Sequence, residues 1–514
     1  MAKEYRRLVG YAKTRELRPG ESEKLEICFT AYDLASYCEK TPGWVLEKGL
    51  YEVFVGNSLE NAALKGTINL DEDTVLVKTE HICSLQKGMS DTSISIGADA
   101  EKEPEAAKST DGAEINAADC LRELQGSREK VQARREAVLS QSKSAGTPIF
   151  RLAFDSVDFC TGTVLYGKEY ERISNKVKEF VDDLTEDQLV RLATGDPGQG
   201  MLAAVGSAGI SVPGSAAQSS DCAKEQGLAD IVFADGPAGL RLNKSYFVKD
   251  GRVVKEPFEK GLEGGYLCRN QEEPEGIEYF QYCTAFPVGT ALAQTWDQTL
   301  VAEVGKAAGE EMQMLLITSW LAPGMNIQRN PLCGRNFEYY SEDPLLTGRT
   351  AAAMTDGVQS QKGCGTTIKH FACNNQEDNR QGSDSILSER TLREIYLKGF
   401  EIAIRESQPM MIMTSYNKIN GVHAANNYDL CTKAARDEWG FMGFIMTDWT
   451  TTHNGPDCTA AGCMRAGNDM VMPGRIEDQE NVRQALHDGT LDEKDLKACI
   501  CHLVNIIWQS NMYE

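Results

Sequence analysis

The chain has 514 residues, 41% of them hydrophobic, which is enough material for a large core and for two or three domains. It carries 76 Asp and Glu against 53 Lys and Arg, a formal net charge of -23. A surface of that sign repels phosphate backbones and anionic lipid heads, so it argues against nucleic acid and membranes as partners and favours a neutral substrate.

The opening residues, MAKEYRRLVGYAK, have no apolar centre, and no later run reaches 18 apolar residues. A secretory leader and a membrane helix are therefore not expected, and the reading is cytoplasmic. The 16 cysteines are scattered singly, without CxxC pairs or histidine clusters at zinc spacing. They predict buried free thiols, no metal and no other cofactor.

Residues 1–82 predict β structure. YRRLVGYAKT, SEKLEICFTA and GLYEVFVGNS are short and alternating, with turn residues between them, as in a sandwich. Residues 83–149 change character. SIGADAEKEPEAAKSTDGAEINAA is charged and poor in large apolar side chains, and LRELQGSREKVQARREAVL has helical charge patterning. Together they predict a polar linker with one helix. From 150 to 514 the pattern is α/β. Amphipathic helical stretches such as TLREIYLKGFEIAIRES alternate with short apolar runs: IVFADGPAG, SWLAPGMNIQRNP, TTIKHFACNNQ, MMIMTSYNK, FIMTDWTTT and NDMVMPG. Repeated β-then-α units of this kind predict a barrel or a doubly wound sheet, and no GxGxxG follows the first strand to favour a dinucleotide fold.

In a β/α barrel the chemistry sits where strands end and loops begin. That rule selects Asp235, Arg335, Lys369, His370, Tyr416, Asp448 and Trp449. Carboxylate and cationic groups bond hydroxyls, and an aromatic face covers the apolar face of a pyranose, so the set suits a sugar. Composition and spacing alone leave catalysis by Asp448 and a capping or bracing role equally open.

IVFADGPAGLR, NIQRNPLCGRNFEYYSEDP, TTIKHFACNNQE, SERTLREIYLKGFE, MTSYNKINGVHAANN and FIMTDW resemble, in order, the signatures of glycoside hydrolase family 3 β-glucosidases, over about residues 175 to 510. LVGYAKTRELRPGESEKLEICFTAYDLASY and GWVLEKGLYEVFVGNS resemble the fibronectin type III-like domain that accompanies that barrel. Here this domain comes first, as in the family's permuted branch. The resemblance implies a (β/α)8-type TIM barrel behind an N-terminally incomplete fibronectin type III-like β-sandwich. It also implies retaining hydrolysis of terminal non-reducing β-D-glucosyl residues, with a β-glucoside or short β-linked oligosaccharide as substrate and β-xylosides as the alternative specificity.

Residue by residue, Asp448 matches the nucleophile of the SDW-type motif, with Thr447 in place of the usual Ser. Asp235 matches the DGP motif, which holds the distal hydroxyls, and Arg335 matches the GRNFE motif. Lys369 and His370 match the KHF motif, and Tyr416 the SYN motif. Trp449 follows the nucleophile as a pocket wall. The cations are expected to keep Asp448 ionised. Asn374, Asn375 and Glu377 are expected to brace loops, Arg241 and Arg380 to stay off the substrate, and His423 and His453 to be ordinary polar positions.

Retention needs a second carboxyl group. In most of the family that acid/base Glu lies on an α/β sandwich domain for which this chain has no residues. The family's histidine substitute lies in a KHFPGHG-type loop, and KHFACNNQE lacks it. The acid/base is therefore expected outside the chain, on a separate α/β sandwich polypeptide or a neighbouring copy in a homo-oligomer. The other expectation is a sugar-binding remnant with little or no turnover.

Overall fold

The computed structural model describes residues 3–85, 112–114, 157–158, 163–164, 166–196, 211–254, 275–453 and 457–513. The helix expected over 121–139 lies outside them. Near the N-terminus two sheets face a small core. One has the order Ser36–Cys38, Gly43–Leu46, Thr74–Lys78, Thr163–Val164, Val157–Asp158; the other has the order Gly49–Val55, Ala63–Leu70, Gly112–Glu114. Tyr37, Trp44, Leu46, Leu70, Leu76 and Val77 fill the space between them, and Trp44 packs against Tyr32 and Tyr37 with ring centroids 5.0 and 5.8 Å away.

Three features of the fold depart from what the sequence pattern predicts. YRRLVGYAKT and SEKLEICFTA form no strand, although GLYEVFV does. The first two run side by side, with Ile27 against Gly10. They are pinned by side chains rather than by a ladder: Lys13 Nζ donates to the Thr295 carbonyl at 2.7 Å, and Tyr11 meets Trp296 edge-on at 5.1 Å. Alternation marks a half-buried extended chain, but a strand also needs a backbone partner. Gly112–Glu114, inside the expected linker, pairs with Thr67–Asn69. Val157–Asp158 and Thr163–Val164, past the expected boundary at 150, pair with each other, and Thr163 with Lys78 of the N-terminal sheet.

The larger part is built on a six-stranded sheet in the order Phe444–Met446, Met411–Thr414, Gly365–Phe371, Ser319–Trp320, Val232–Ala234, Ala217–Gln218. The first five are mutually parallel, and Ala217–Gln218 is antiparallel. Single bridges carry the pairing onward from Met446 to Met470, from Val471 to Thr194 and from Gly195 to Ser219, so the ring closes through eight segments. Period two is visible in the packing: Phe233, Met411, Met413, Phe444 and Met446 enter one core cluster, while Val232, Ala234, Ile412 and Ile445 enter the other. Helices connect the parallel strands. Gln298–Met314 and Pro344–Val358 approach so closely at Gly357 that a Cβ there would stand 2.1 Å from the Ala302 carbonyl oxygen.

The two parts meet through a buried charge cluster inside the SERTLREIYLKGFE segment. Arg393, 2% exposed, donates to Glu389 (2.9 Å) and with both terminal nitrogens to Glu438 (2.6 and 2.9 Å). From the N-terminal side Tyr37 donates to Glu389 and Tyr166 to Glu438, each at 2.8 Å. Removing one partner of a buried ion network strands the others without compensation, at about 3–5 kcal/mol. Arg393→Ala is therefore expected to lower the unfolding free energy by about that much in urea titrations. Arg393→Lys, which lacks the two-pronged fork, should recover only part of it. A loss below about 1 kcal/mol would show that Glu389 and Glu438 reach water instead.

Candidate active site

Five strand ends supply the site. Asp235 follows Val232–Ala234, Lys369 and His370 lie within Gly365–Phe371, Tyr416 stands two residues past Met411–Thr414, and Asp448 and Trp449 follow Phe444–Met446. Arg335 comes from the long loop after Ser319–Trp320. Adjacent residues of a regular strand face opposite ways. A register shift between Lys369 and Phe371 relaxes that rule, and both Lys369 and His370 make contacts at the site. Asn326 fixes the His370 backbone from both sides, accepting from its N–H and donating to its carbonyl, each at 2.8 Å.

The contacts form a chain across the strand ends. Lys369 Nζ donates to Asp235 Oδ1 at 2.8 Å, and Arg241 holds Oδ2 at 3.0 Å. His370 Nε2 stands 3.7 Å from Asp448 Oδ2. The Trp449 N–H donates to Asp448 Oδ1 at 2.7 Å, and Tyr416 Oη donates to the Trp449 carbonyl at 2.8 Å. Arg380 covers the Tyr416 ring at 4.8 Å while pairing with Glu377 at 3.0 Å. Arg335 pairs with Glu338, three residues on. All seven residues expected from the sequence thus lie in or beside this chain of contacts. Trp449 is 8% exposed and packs largely into the core, and its indole N–H has no partner among the described residues.

Burial disfavours the charged forms of Asp235, Asp448 and His370, and the neighbours decide the outcome. It would raise the Asp235 carboxyl, but Lys369 and then Arg241 outweigh it and hold the group down at about 2. Burial also raises Asp448, and there it wins: Arg335, Lys369, the Trp449 N–H and Arg380 pull the carboxyl back without cancelling the shift. His370 is pushed well below the usual imidazole range by burial and then by Arg335, Lys369 and Arg380. It is a neutral ring, not one of the cations expected around Asp448. Tyr416 is pushed up by burial and by the Asp448 carboxylate.

Arg241 and Arg380, expected to stay off the substrate, contact Asp235 and Tyr416 directly. Their signal was position: both lie in the loops that follow Asp235 and His370, where a long guanidinium can fold back over the strand end. Behind the site, Asp469 grips the strand of Asp448. Its N–H donates to the Ile445 carbonyl (2.8 Å), and its carboxylate accepts from the Ile445 N–H (2.6 Å), from Arg436 (2.5 Å) and from His502 Nδ1 (2.9 Å). Asn468 reaches the neighbouring strand through Thr414 Oγ1 at 3.1 Å.

The family model described as the glycosyl hydrolase family 3 N terminal domain matches residues 267–506, and that of the fibronectin type III-like domain matches residues 2–59. Beta-glucosidase A of Butyrivibrio fibrisolvens is 34% identical over 497 residues, 95% of this chain and 52% of that protein. Beta-glucosidase of Ruminococcus albus is 32% identical over 527 residues, 99% of this chain and 47% of that protein. A solved beta-glucosidase from Paenibacillus barengoltzii superposes with a TM-score of 0.69 at 30% identity, covering 98% of this chain and 49% of its own. The chain spans about half the length of the relatives it matches.

The depressed Asp235 carboxyl gives a pH test. A carboxyl whose folded value lies below its ordinary 3.8 contributes stability that is complete above 3.8 and is lost as pH falls toward about 2. Denaturation midpoints of the native chain should fall faster through that window than those of Asp235→Asn. Parallel curves would show that Lys369 and Arg241 do not stabilise the Asp235 charge.

Proposed function

This chain carries a glycosyl hydrolase family 3 domain behind a fibronectin type III-like domain, and from that premise we propose that it cleaves terminal non-reducing β-D-glucosyl residues with retention, Asp448 acting as nucleophile. One observation carries the reading. Of the four carboxylates gathered here among the described residues, Asp235 is paired with Lys369 and Arg241, Glu338 with Arg335, and Glu377 with Arg380. Asp448 has no Lys or Arg ion pair among the described residues and faces a neutral imidazole. An attacking carboxylate must be ionised yet free to leave its surroundings for carbon. A tight ion pair would have to break in the transition state, whereas the hydrogen bond from the Trp449 N–H and the 3.7 Å approach of His370 need only adjust.

In the proposed reaction the Asp448 carboxylate attacks the anomeric carbon as the glycosidic C–O bond breaks, and the departing oxygen takes a proton from the acid. Water, losing its proton to the same group, then attacks the anomeric carbon and releases Asp448, so two inversions give retention. Asp235, with Lys369 and Arg241 fixed on it, holds the hydroxyls of the sugar remote from the reacting centre. Arg335, His370 and Tyr416 contact the sugar nearer the nucleophile, and Trp449 backs the nucleophile loop. We read the closed ring of strands as a variant of the (β/α)8 barrel with one reversed member.

The acid/base belongs outside this chain in our reading. A general acid must hold a proton near neutral pH, and the described carboxylates beside Asp448 are already paired with cations. A further polypeptide or a neighbouring copy would supply it. Free cysteines at 13 described positions agree with a reducing, cytoplasmic setting. No helix among the described residues is long and apolar enough to cross a membrane.

A 2-fluoro-glucoside with a very good leaving group needs little acid help, so it should label Asp448 in this chain, as peptide mass spectrometry would locate. Labelling should speed up as pH rises through the raised Asp448 value and then level off. Ordinary β-glucosides should turn over slower by on the order of 10²–10⁴-fold for want of the acid. Asp448→Asn should take no label and keep the fold. A label on another carboxylate overturns the nucleophile; no label at all favours a sugar-binding remnant. Running β-xylosides beside β-glucosides settles the pentose alternative.

A further inference from the structure

The KHFACNNQE loop contains a series of hydrogen bonds in which every proton can be assigned from heavy-atom positions. Glu377 pairs through Oε2 with Arg380 at 3.0 Å, and its Oε1 lies 3.1 Å from Asn374 Nδ2. A carboxylate can only accept, so it must face the amide nitrogen of Asn374, not the oxygen. The reversed amide would set oxygen against oxygen. The same Nδ2 lies 2.9 Å from Tyr339 Oη and therefore donates to it. Asn374 Oδ1 is left buried without a partner among the described residues, so satisfaction at the oxygen does not set the orientation.

Tyr339 is fully buried, and among the described residues its hydroxyl has one further hydrogen-bond partner, His370 Nδ1 at 3.2 Å. The phenolic proton, barred from Asn374, goes to that nitrogen. Nδ1 must then be bare. His370 is 1% exposed and stands among Arg335, Lys369 and Arg380, so a second ring proton is disfavoured, and the single one sits on Nε2, the atom 3.7 Å from Asp448 Oδ2.

We propose that Glu377, Asn374 and Tyr339 form a hydrogen-bond relay that holds His370 as its Nε2–H tautomer, facing Asp448. Tyr339 and Asn374 are positioning residues: they act through His370 and decide what its ring presents to Asp448. At Nε2 a ring fixed this way can donate and cannot accept. It steadies a carboxylate without competing for the anomeric carbon, and it requires any sugar hydroxyl beside it to act as acceptor. The benefit to attack by Asp448 rests on the function proposed above; the tautomer does not.

The test is nitrogen NMR on the full chain labelled with 15N-histidine, the His370 signals being those lost in His370→Gln among six histidines. A bare Nδ1 and a protonated Nε2 are expected. In Tyr339→Phe the donor to Nδ1 disappears, so the Nδ1–H form should become populated and labelling by the 2-fluoro-glucoside should slow about tenfold, the scale of one lost buried hydrogen bond. Glu377→Gln, near-isosteric and partly exposed, frees the Asn374 amide to turn and should also give both tautomers, which keeps the test intact if Tyr339→Phe does not fold. A protonated Nδ1 in the native chain, or a single unchanged Nε2–H form in both variants, overturns the relay. The nitrogen signals decide it whichever carboxylate the probe labels.

Discussion

The bond between Lys369 and Asp235 is the constraint around which the site is arranged. The two residues sit on strands that are not neighbours; Ser319–Trp320 runs between them. A 2.8 Å contact across that interval spans the strand ends and leaves Lys369, 3% exposed, tolerable in an apolar interior. With Lys369 committed to Asp235, its charge reaches Asp448 only at a distance. The same division recurs at Arg335 with Glu338 and Arg380 with Glu377. The cations lower the Asp448 carboxyl through space, while each one's direct contacts go elsewhere. A carboxylate can in this way be surrounded by positive charge and still have no ion pair to break.

Rigidity behind the site comes from buried polar groups, not from apolar packing alone. Asp469 holds Ile445 by both backbone groups, three residues before Asp448, and Asn468 holds Thr414, two residues before Tyr416. Neighbouring residues of one turn thereby fix two adjacent strands relative to each other. Arg436, pairing with Asp469 and donating to the Gly443 carbonyl at 3.0 Å, ties in the helix that precedes the Asp448 strand. Farther out, Arg393 does for the N-terminal sandwich what Lys369 does for the strand ends: one buried cation satisfies carboxylates from two helices, and those carboxylates in turn take hydroxyl donors from the other domain. Such networks tolerate loss of a member poorly, since whatever remains is a buried unpaired charge.

What the sequence determined was local. Period-two apolar runs ending in polar residues placed Asp235, Lys369, His370, Tyr416 and Asp448 at strand ends before any strand was paired, because burial of alternate side chains is written into each segment separately. The ordered motifs bounded the family. Tertiary structure decided what depends on partners distant in the chain. It left YRRLVGYAKT and SEKLEICFTA without ladder partners despite their alternation, brought 157–164 back to the N-terminal sheet, and closed the ring with one reversed strand. It also folded Arg241 onto Asp235 and Arg380 onto Tyr416. Charge state was decided there too. The sequence set Lys369, His370 and Arg335 beside Asp448 as cations that keep it ionised, whereas burial raises the Asp448 carboxyl against those neighbours and leaves His370 neutral. Desolvation depends on how much of the whole molecule surrounds a group, and no spacing of residues along the chain encodes that.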